Sequence, residues 1–148
     1  MEDALKVDLA EQDLAHAAPD SADAPDLSAD AGRDDAEKRI AIELARLLQE
    51  HKGGDVVVID LRQLSVWTDF FVIATVSSGA HLSGLQRRIK EFADENNLPV
   101  LRGHRRTARD NGWDIYDLGF MAVHLMMEAP RSFYELENLW SGGGMIRL

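Results

Sequence analysis

The stretch from Gly112 to Trp140 restricts the choice of folds more than any other part of this chain. In Trp113-Asp114-Ile115-Tyr116-Asp117-Leu118, apolar or aromatic residues at 113, 115 and 118 alternate with polar ones at 114 and 117. That is close to the period of a half-buried strand. Gly119 supplies a turn, and Met121 to Met127 is a nearly continuous apolar run of the kind that fills the middle of a sheet. A helix is predicted next, with Pro130 near its start and Ser132 three residues before Glu135, a capping-box spacing. Phe133, Leu136, Leu139 and Trp140 form the inner face of that helix.

The rest of the chain supplies the other layers. Ala36, Ile40, Leu44, Leu47 and Leu48 recur on one face from about Arg33 to His51, and Gly53-Gly54 end the helix. Asp55 to Leu61 and Phe70 to Val76 read as two strands. Their connection is short enough for a hairpin, so antiparallel pairing is open to them, a parallel neighbour needing a longer crossover. Ser77-Ser78-Gly79 opens a second helix running to about Asn96, with Leu82, Leu85, Ile89 and Phe92 inward. Val100-Leu101 is a short strand candidate, and Arg102 to Asn111 is a basic loop. The order predicts an α/β fold, a mixed sheet flanked by helices.

Charge divides the chain. The whole carries −10, but residues 1 to 36 hold 11 acidic and 2 basic side chains, leaving residues 37 to 148 with 15 and 14. Residues 1–34, Ala- and Asp-rich and without aromatics, are expected to be a disordered acidic arm. Residues 35–141 form the domain, and 142–148 (SGGGMIRL from Ser141) are expected to be a flexible tail. Cysteine is absent, which removes disulfides and thiolate chemistry and suits a reducing cytoplasm. No apolar run approaches a membrane span, and no secretory signal pattern opens the chain.

Catalytic constellations are hard to assemble. Ser77-Ser78 at a helix start could hold a phosphate, but no D-x-D follows the second strand, and Asp114 and Asp117 point to opposite faces. Ser78 reads better as a helix cap. His81, His104 and His124 lack zinc spacing, and there is no G-x-S-x-G elbow. No catalytic, cofactor or metal residues are assigned. Four arginines between Arg102 and Arg109 offer a phosphate contact, with a solvated basic loop as the plainer reading. Trp113, opening a strand after that loop, divides evenly between interface anchor and core.

Several motifs in order resemble the ribosomal silencing factor (Iojap-like) family of bacteria and organelles. They are VVVIDLRQLSVWTDFFVIATVSSGAH, then GWDIYDLGFMAVHLM, then RSFYELENLW, spanning about residues 36 to 141. The resemblance implies a nucleotidyltransferase-like α/β fold without catalytic carboxylates. It further implies a non-enzymatic repressor that binds the large ribosomal subunit through ribosomal protein L fourteen. There it blocks joining of the small subunit and lowers translation when nutrients are limiting. The family places the W-x-x-x-D-x-G tryptophan at this contact, which carries over to Trp113, with Ile115 and Tyr116 beside it. Asp114 and Asp117 are candidates to pair with basic groups of the partner. The same surface could serve a homodimer. Alternatives are a nucleotide-binding protein at Ser77-Ser78 and an RNA-binding module using Arg102 to Arg109. If Trp113 is an exposed anchor, its removal should weaken the complex and leave the fold intact.

Overall fold

Hydrogen bonding joins five strands in the order β3-β4-β2-β1-β5. The computed structural model describes residues 27–64, 66–101 and 112–148. Along the chain run α1 (Leu27–Glu50), β1 (Gly54–Asp60), β2 (Phe70–Val76), α2 (Gly79–Glu95), β3 (Trp113–Asp117), β4 (Met121–Met127), α3 (Glu128–Tyr134), α4 (Leu136–Leu139) and β5 (Gly144–Arg147). The expected short connection makes β1 and β2 antiparallel, with Val58 opposite Val72. β2 runs parallel to β4, with Val72 opposite Val123, and β3 returns antiparallel to β4, with Ile115 opposite His124. This is the mixed sheet flanked by helices that the sequence predicts.

Alternation of side chains along each strand separates two cores. On one face, Val58, Val72 and Val123 meet Leu44 and Leu48 of α1 and Leu85 and Ile89 of α2. On the other, Val57, Ile59, Phe71, Ile73 and Met126 gather with Trp113 and Leu136. Burial of both faces explains why the central strands are apolar almost without a break. The two covers differ in build. Helices of 24 and 17 residues close the first face. The second is closed by the 61–69 connection, the short α3 and α4, and the start of β5.

Local chemistry sets the boundaries. Ser78 caps α2 by accepting the His81 amide at 3.0 Å, as predicted. The β3–β4 turn closes through Leu118 N to Met121 O at 2.8 Å. Its Gly119 sits at φ +98°, a region in which a β-carbon is costly. Leu101 reaches the sheet only as an isolated bridge to Asp117.

Three expectations need correction. α1 takes in Leu27, ahead of the expected start near Arg33, so helix covers residues 27–34 of the segment expected to be disordered. Its alanines favour helix. The arm over residues 1–26 and the basic loop 102–111 lie outside the described residues.

The final helix is two helices. Glu135 takes a left-handed conformation (φ 49°) between α3 and α4, and the capping box does not form, since the Ser132 hydroxyl donates to Glu128 at 3.2 Å. The rotation at Glu135 also turns Phe133 (51% exposed) and Leu139 (38% exposed) outward, away from the predicted inner face.

The tail is not free either. Gly144–Arg147 pairs antiparallel with β1, Ile146 opposite Val58. The chain enters this strand at Gly143, where a β-carbon would lie 2.6 Å from the Asp60 carbonyl oxygen. Only a residue without one lets the backbone approach so closely.

Two glycine substitutions test this account. Gly143→Ala is expected to cost about 1–3 kcal/mol in chemical denaturation, as forced overpacking does. Gly84→Ala, in α2 with nothing within 4 Å of the added carbon, is expected to gain about 0.5–1 kcal/mol.

Candidate interaction surface

The second face of the sheet is organised by aromatic rings. Phe133, the most exposed of them, meets Tyr134 edge-on at 5.0 Å between ring centroids. Tyr134 lies 4.9 Å from Trp113, and Trp113 lies 6.0 Å from His124. His124 meets Phe71 edge-on at 4.5 Å, and Phe71 in turn contacts Trp140 at 5.8 Å and Trp67 at 6.3 Å. The result is a belt of rings crossing the sheet, buried in the middle and emerging at both ends. Such pairs add order-of-magnitude 0.5–1.5 kcal/mol each beyond their buried area.

Trp113 is the buried link of the belt. Only 6% of it is exposed, and its indole Nε1–H donates to His124 Nδ1 at 3.1 Å. An accepting Nδ1 places the proton of a neutral His124 on Nε2. Ile115, on the same face, is 8% exposed and Tyr116, on the helix-covered face, 4%. Asp114 is 2% exposed. Its carboxylate accepts the Ile115 amide at 3.2 Å and the Tyr116 hydroxyl. Burial, and then the Asp114 carboxylate, push the Tyr116 phenol well above its ordinary range. Asp117 lies at the margin, half-buried, accepting the Gly119 amide at 2.9 Å. Of the five predicted contact residues, then, four are buried in the free chain. The strand they belong to is nonetheless the edge of the sheet.

The edge itself is partly blocked. Gly112 O bonds Met127 N, and Leu118 N bonds Met121 O, so even-numbered residues of β3 turn their amides toward β4. Trp113, Ile115 and Asp117 therefore direct theirs to the open side. Leu101 N already takes the Asp117 carbonyl at 2.8 Å, and Asp114 takes the Ile115 amide. A charged side chain engaged this way discourages strand-on-strand pairing.

Arg131, which sequence reasoning left without a role, holds the surface in place. It is 7% exposed and donates to the carbonyls of Asp55 (2.6 Å) and Gly54 (3.3 Å), to Thr75 Oγ1 (2.8 Å) and to Glu137 Oε2 (2.7 Å). These bonds tie α3 and α4 to the start of β1 and the end of β2. Burial pushes the Glu137 carboxyl up, but the bond and charge of Arg131, with the charge of Arg147, hold it below its ordinary 4.5. The R-x-x-Y-x-L-E pattern carried a signal for this clamp, since it holds both partners. Tyr134 was missed because a continuous helix was assumed.

The other candidates fall elsewhere. His81 accepts the Ser77 amide on Nδ1 at 3.0 Å, and its Nε2 lies 2.9 Å from the His51 carbonyl, joining the end of α1 to the start of α2. Among the described residues, no group of three or more His, Cys, Asp or Glu could hold a metal ion. No described helix is long and apolar enough to cross a membrane.

Comparison with known proteins gives a consistent result. The family model described as "Ribosomal silencing factor during starvation" matches residues 33–147, taking in β5. The chloroplastic protein Iojap of Arabidopsis thaliana is 33% identical over 78% of this chain and 48% of its own length. The ribosomal silencing factor RsfS of Treponema pallidum is 34% identical over 66% of this chain and 86% of that protein. The chain thus spans about half of the chloroplast relatives it matches. A crystal structure of a Chromobacterium violaceum protein superposes with a TM-score of 0.60 at 25% identity, covering 70% of this chain and 82% of that one.

Two outcomes follow from the geometry. Trp113→Ala is expected to destabilise the fold by about 3–5 kcal/mol in urea denaturation, as deletion of a buried ring does. The expectation that it leaves the fold intact is thereby replaced. Glu137, with its pKa lowered on folding, stabilises above its ordinary 4.5 and loses that contribution as pH falls through the folded value. Glu137→Gln should therefore cost about 1–3 kcal/mol at neutral pH and flatten the acid limb of a melting-temperature profile.

Proposed function

The chain belongs to the ribosomal silencing factor family, and from that premise we propose that it represses translation by binding the large ribosomal subunit and obstructing the small one. The partner on that subunit is ribosomal protein L fourteen, the setting is the cytoplasm, and the occasion is nutrient limitation. The chain works as an obstacle and not as an enzyme.

One observation supports the placement of the contact. At the β3 margin the aromatic belt ends in Phe133, half exposed above the Tyr134–Trp113 stack. Large apolar rings presented on a rigid base are typical anchors of protein interfaces. Trp113 contributes as the floor that holds Tyr134 and Phe133 in position, and Ile115 and Asp117 as the adjoining margin. Asp114 and Tyr116 satisfy one another internally and stabilise the strand from the opposite face. Steric obstruction needs only occupancy. At roughly micromolar ribosomes this requires about −8 kcal/mol, within reach of an interface near 1,600 Å² that contains a few buried anchors.

Co-sedimentation with isolated large subunits, small subunits and joined ribosomes tests the reading. The chain should pellet with large subunits alone and slow their joining to small subunits in light scattering. Phe133→Glu should weaken that binding by about 2 kcal/mol or more without lowering the melting temperature, since the side chain is half exposed. A chain that leaves joining unhindered at saturation would refute the function. Normal binding by Phe133→Glu would move the anchor elsewhere.

A further inference from the structure

The two borders of the sheet are built differently. β5 closes it on the side away from β3. Leu148 N donates to Val56 O at 3.1 Å, and Ile146 lies opposite Val58, so even-numbered residues of β5 turn their main-chain groups toward β1. Alternation directs the amides and carbonyls of Met145 and Arg147 outward. Among the described residues, no main-chain bond reaches those four groups. At β3, by contrast, the Asp114 carboxylate and Leu101 each occupy a rung. β5 is guarded only by its length of four residues. A border that short resists indiscriminate pairing, yet it can still pair with a segment that fits its side chains.

Those side chains differ between the two faces. On the helix-covered face, Ile146 and Leu148 pack half-buried against the first core, as does Ile42 of α1. Ile42 stands one turn from Lys38, whose charge is felt by Asp60 at the end of β1, while Glu37 faces Phe120 on the β4 side. Ile42 therefore leans toward β1 and β5, and the three residues make an apolar shelf that is only partly covered. On the opposite face, Arg147 borders a cleft lined by Asp55, Glu128, Arg131, Glu135 and Glu137. Four carboxylates there stand against two guanidiniums, and Arg131 is already engaged by Glu137 and the Asp55 carbonyl. The cleft is acidic on balance.

We propose that β5 takes up an extended, basic polypeptide segment of the bound partner as a sixth strand of the sheet. This deepens the function proposed above and rests on it, adding a second attachment to the one at Phe133. Main-chain groups of the segment meet those of Met145 and Arg147, as in other cases of strand addition. Its apolar residues lie on the shelf of Ile42, Ile146 and Leu148, and its lysines or arginines alternate with them toward the acidic cleft. Nucleic acid fits poorly, because its phosphates would face the carboxylates of Asp55, Glu128 and Glu135. A second copy of this chain also fits poorly. Pairing β5 with β5 would set two acidic clefts on the same face of one continuous sheet.

Met145→Pro removes an outward amide that the fold does not use, a change an edge strand tolerates. Met145→Leu keeps the amide and controls for the side chain. In the full chain, affinity for purified large subunits and melting temperature are measured for both. Met145→Pro is expected to bind about tenfold more weakly than Met145→Leu, with melting temperatures within about 3 °C of each other. Hydrogen exchange over residues 143–148 of the unmodified chain should slow when large subunits are added, a reading that needs no substitution to fold. Glu128→Lys with Glu135→Lys should weaken binding, most at low salt. Equal affinities for the two Met145 variants, or exchange that subunits leave unchanged, would overturn the proposal. Tighter binding on charge reversal would overturn the basic polypeptide in favour of nucleic acid. Slowed exchange in the chain alone as its concentration rises would overturn it in favour of a second copy. Failure of the unmodified chain to bind large subunits would defeat the function itself, and is distinguishable because it appears before any substitution is made.

Discussion

A guanidinium group withdrawn from water is costly, with a penalty of several kcal/mol unless every donor finds an acceptor. Arg131 meets that condition by reaching two main-chain carbonyls on β1, a threonine on β2 and a carboxylate on α4. Without it, α3 and α4 would have little to fix their position, since between them they bury few large side chains apart from Leu136. The clamp therefore does more than add stability. It fixes the angle at which Tyr134 lies over Trp113, and through them the ring belt on which the proposed contact stands. Breaking one partner would leave a buried charge uncompensated, which is why the arrangement behaves as a unit.

The two faces of the sheet have divided their tasks. The helix-covered face is conventional core, closed by side chains of α1 and α2 whose spacing keeps Leu and Ile pointing inward. The opposite face has the same strands but a cover made of short pieces, one of them strained at Glu135 and two of them carrying unpaired indole donors. Low local satisfaction of this kind is usual where a surface meets a partner.

Much of the fold was legible in the sequence. Period-2 alternation located β3, apolar runs located β1, β2 and β4, and the nine-residue gap between β1 and β2 set their direction. Ser78 announced the start of α2 because a hydroxyl one residue ahead of a helix has few other uses. Several of the misses depend on contacts that local patterning does not carry. Glu135 is a good helix former, and the break there accompanies the bond between Arg131 and Glu137, which no local pattern announces. The triple glycine before β5 resembled a flexible linker, when its small size answers the closeness of the Asp60 backbone. At the site, the sequence leaves Trp113 between interface anchor and core, and its burial depends on Tyr134, whose position follows from that same break.

The engaged amide at Ile115 has a bearing on how readily a contact made at this edge is released. A strand border with bare amides would zip onto any neighbour through a ladder of main-chain bonds, slow to release and indifferent to identity. With Asp114 occupying one rung and Leu101 another, a continuous ladder at that border is interrupted and side chains carry more of the adhesion. A grip of that sort can be selective and still let go.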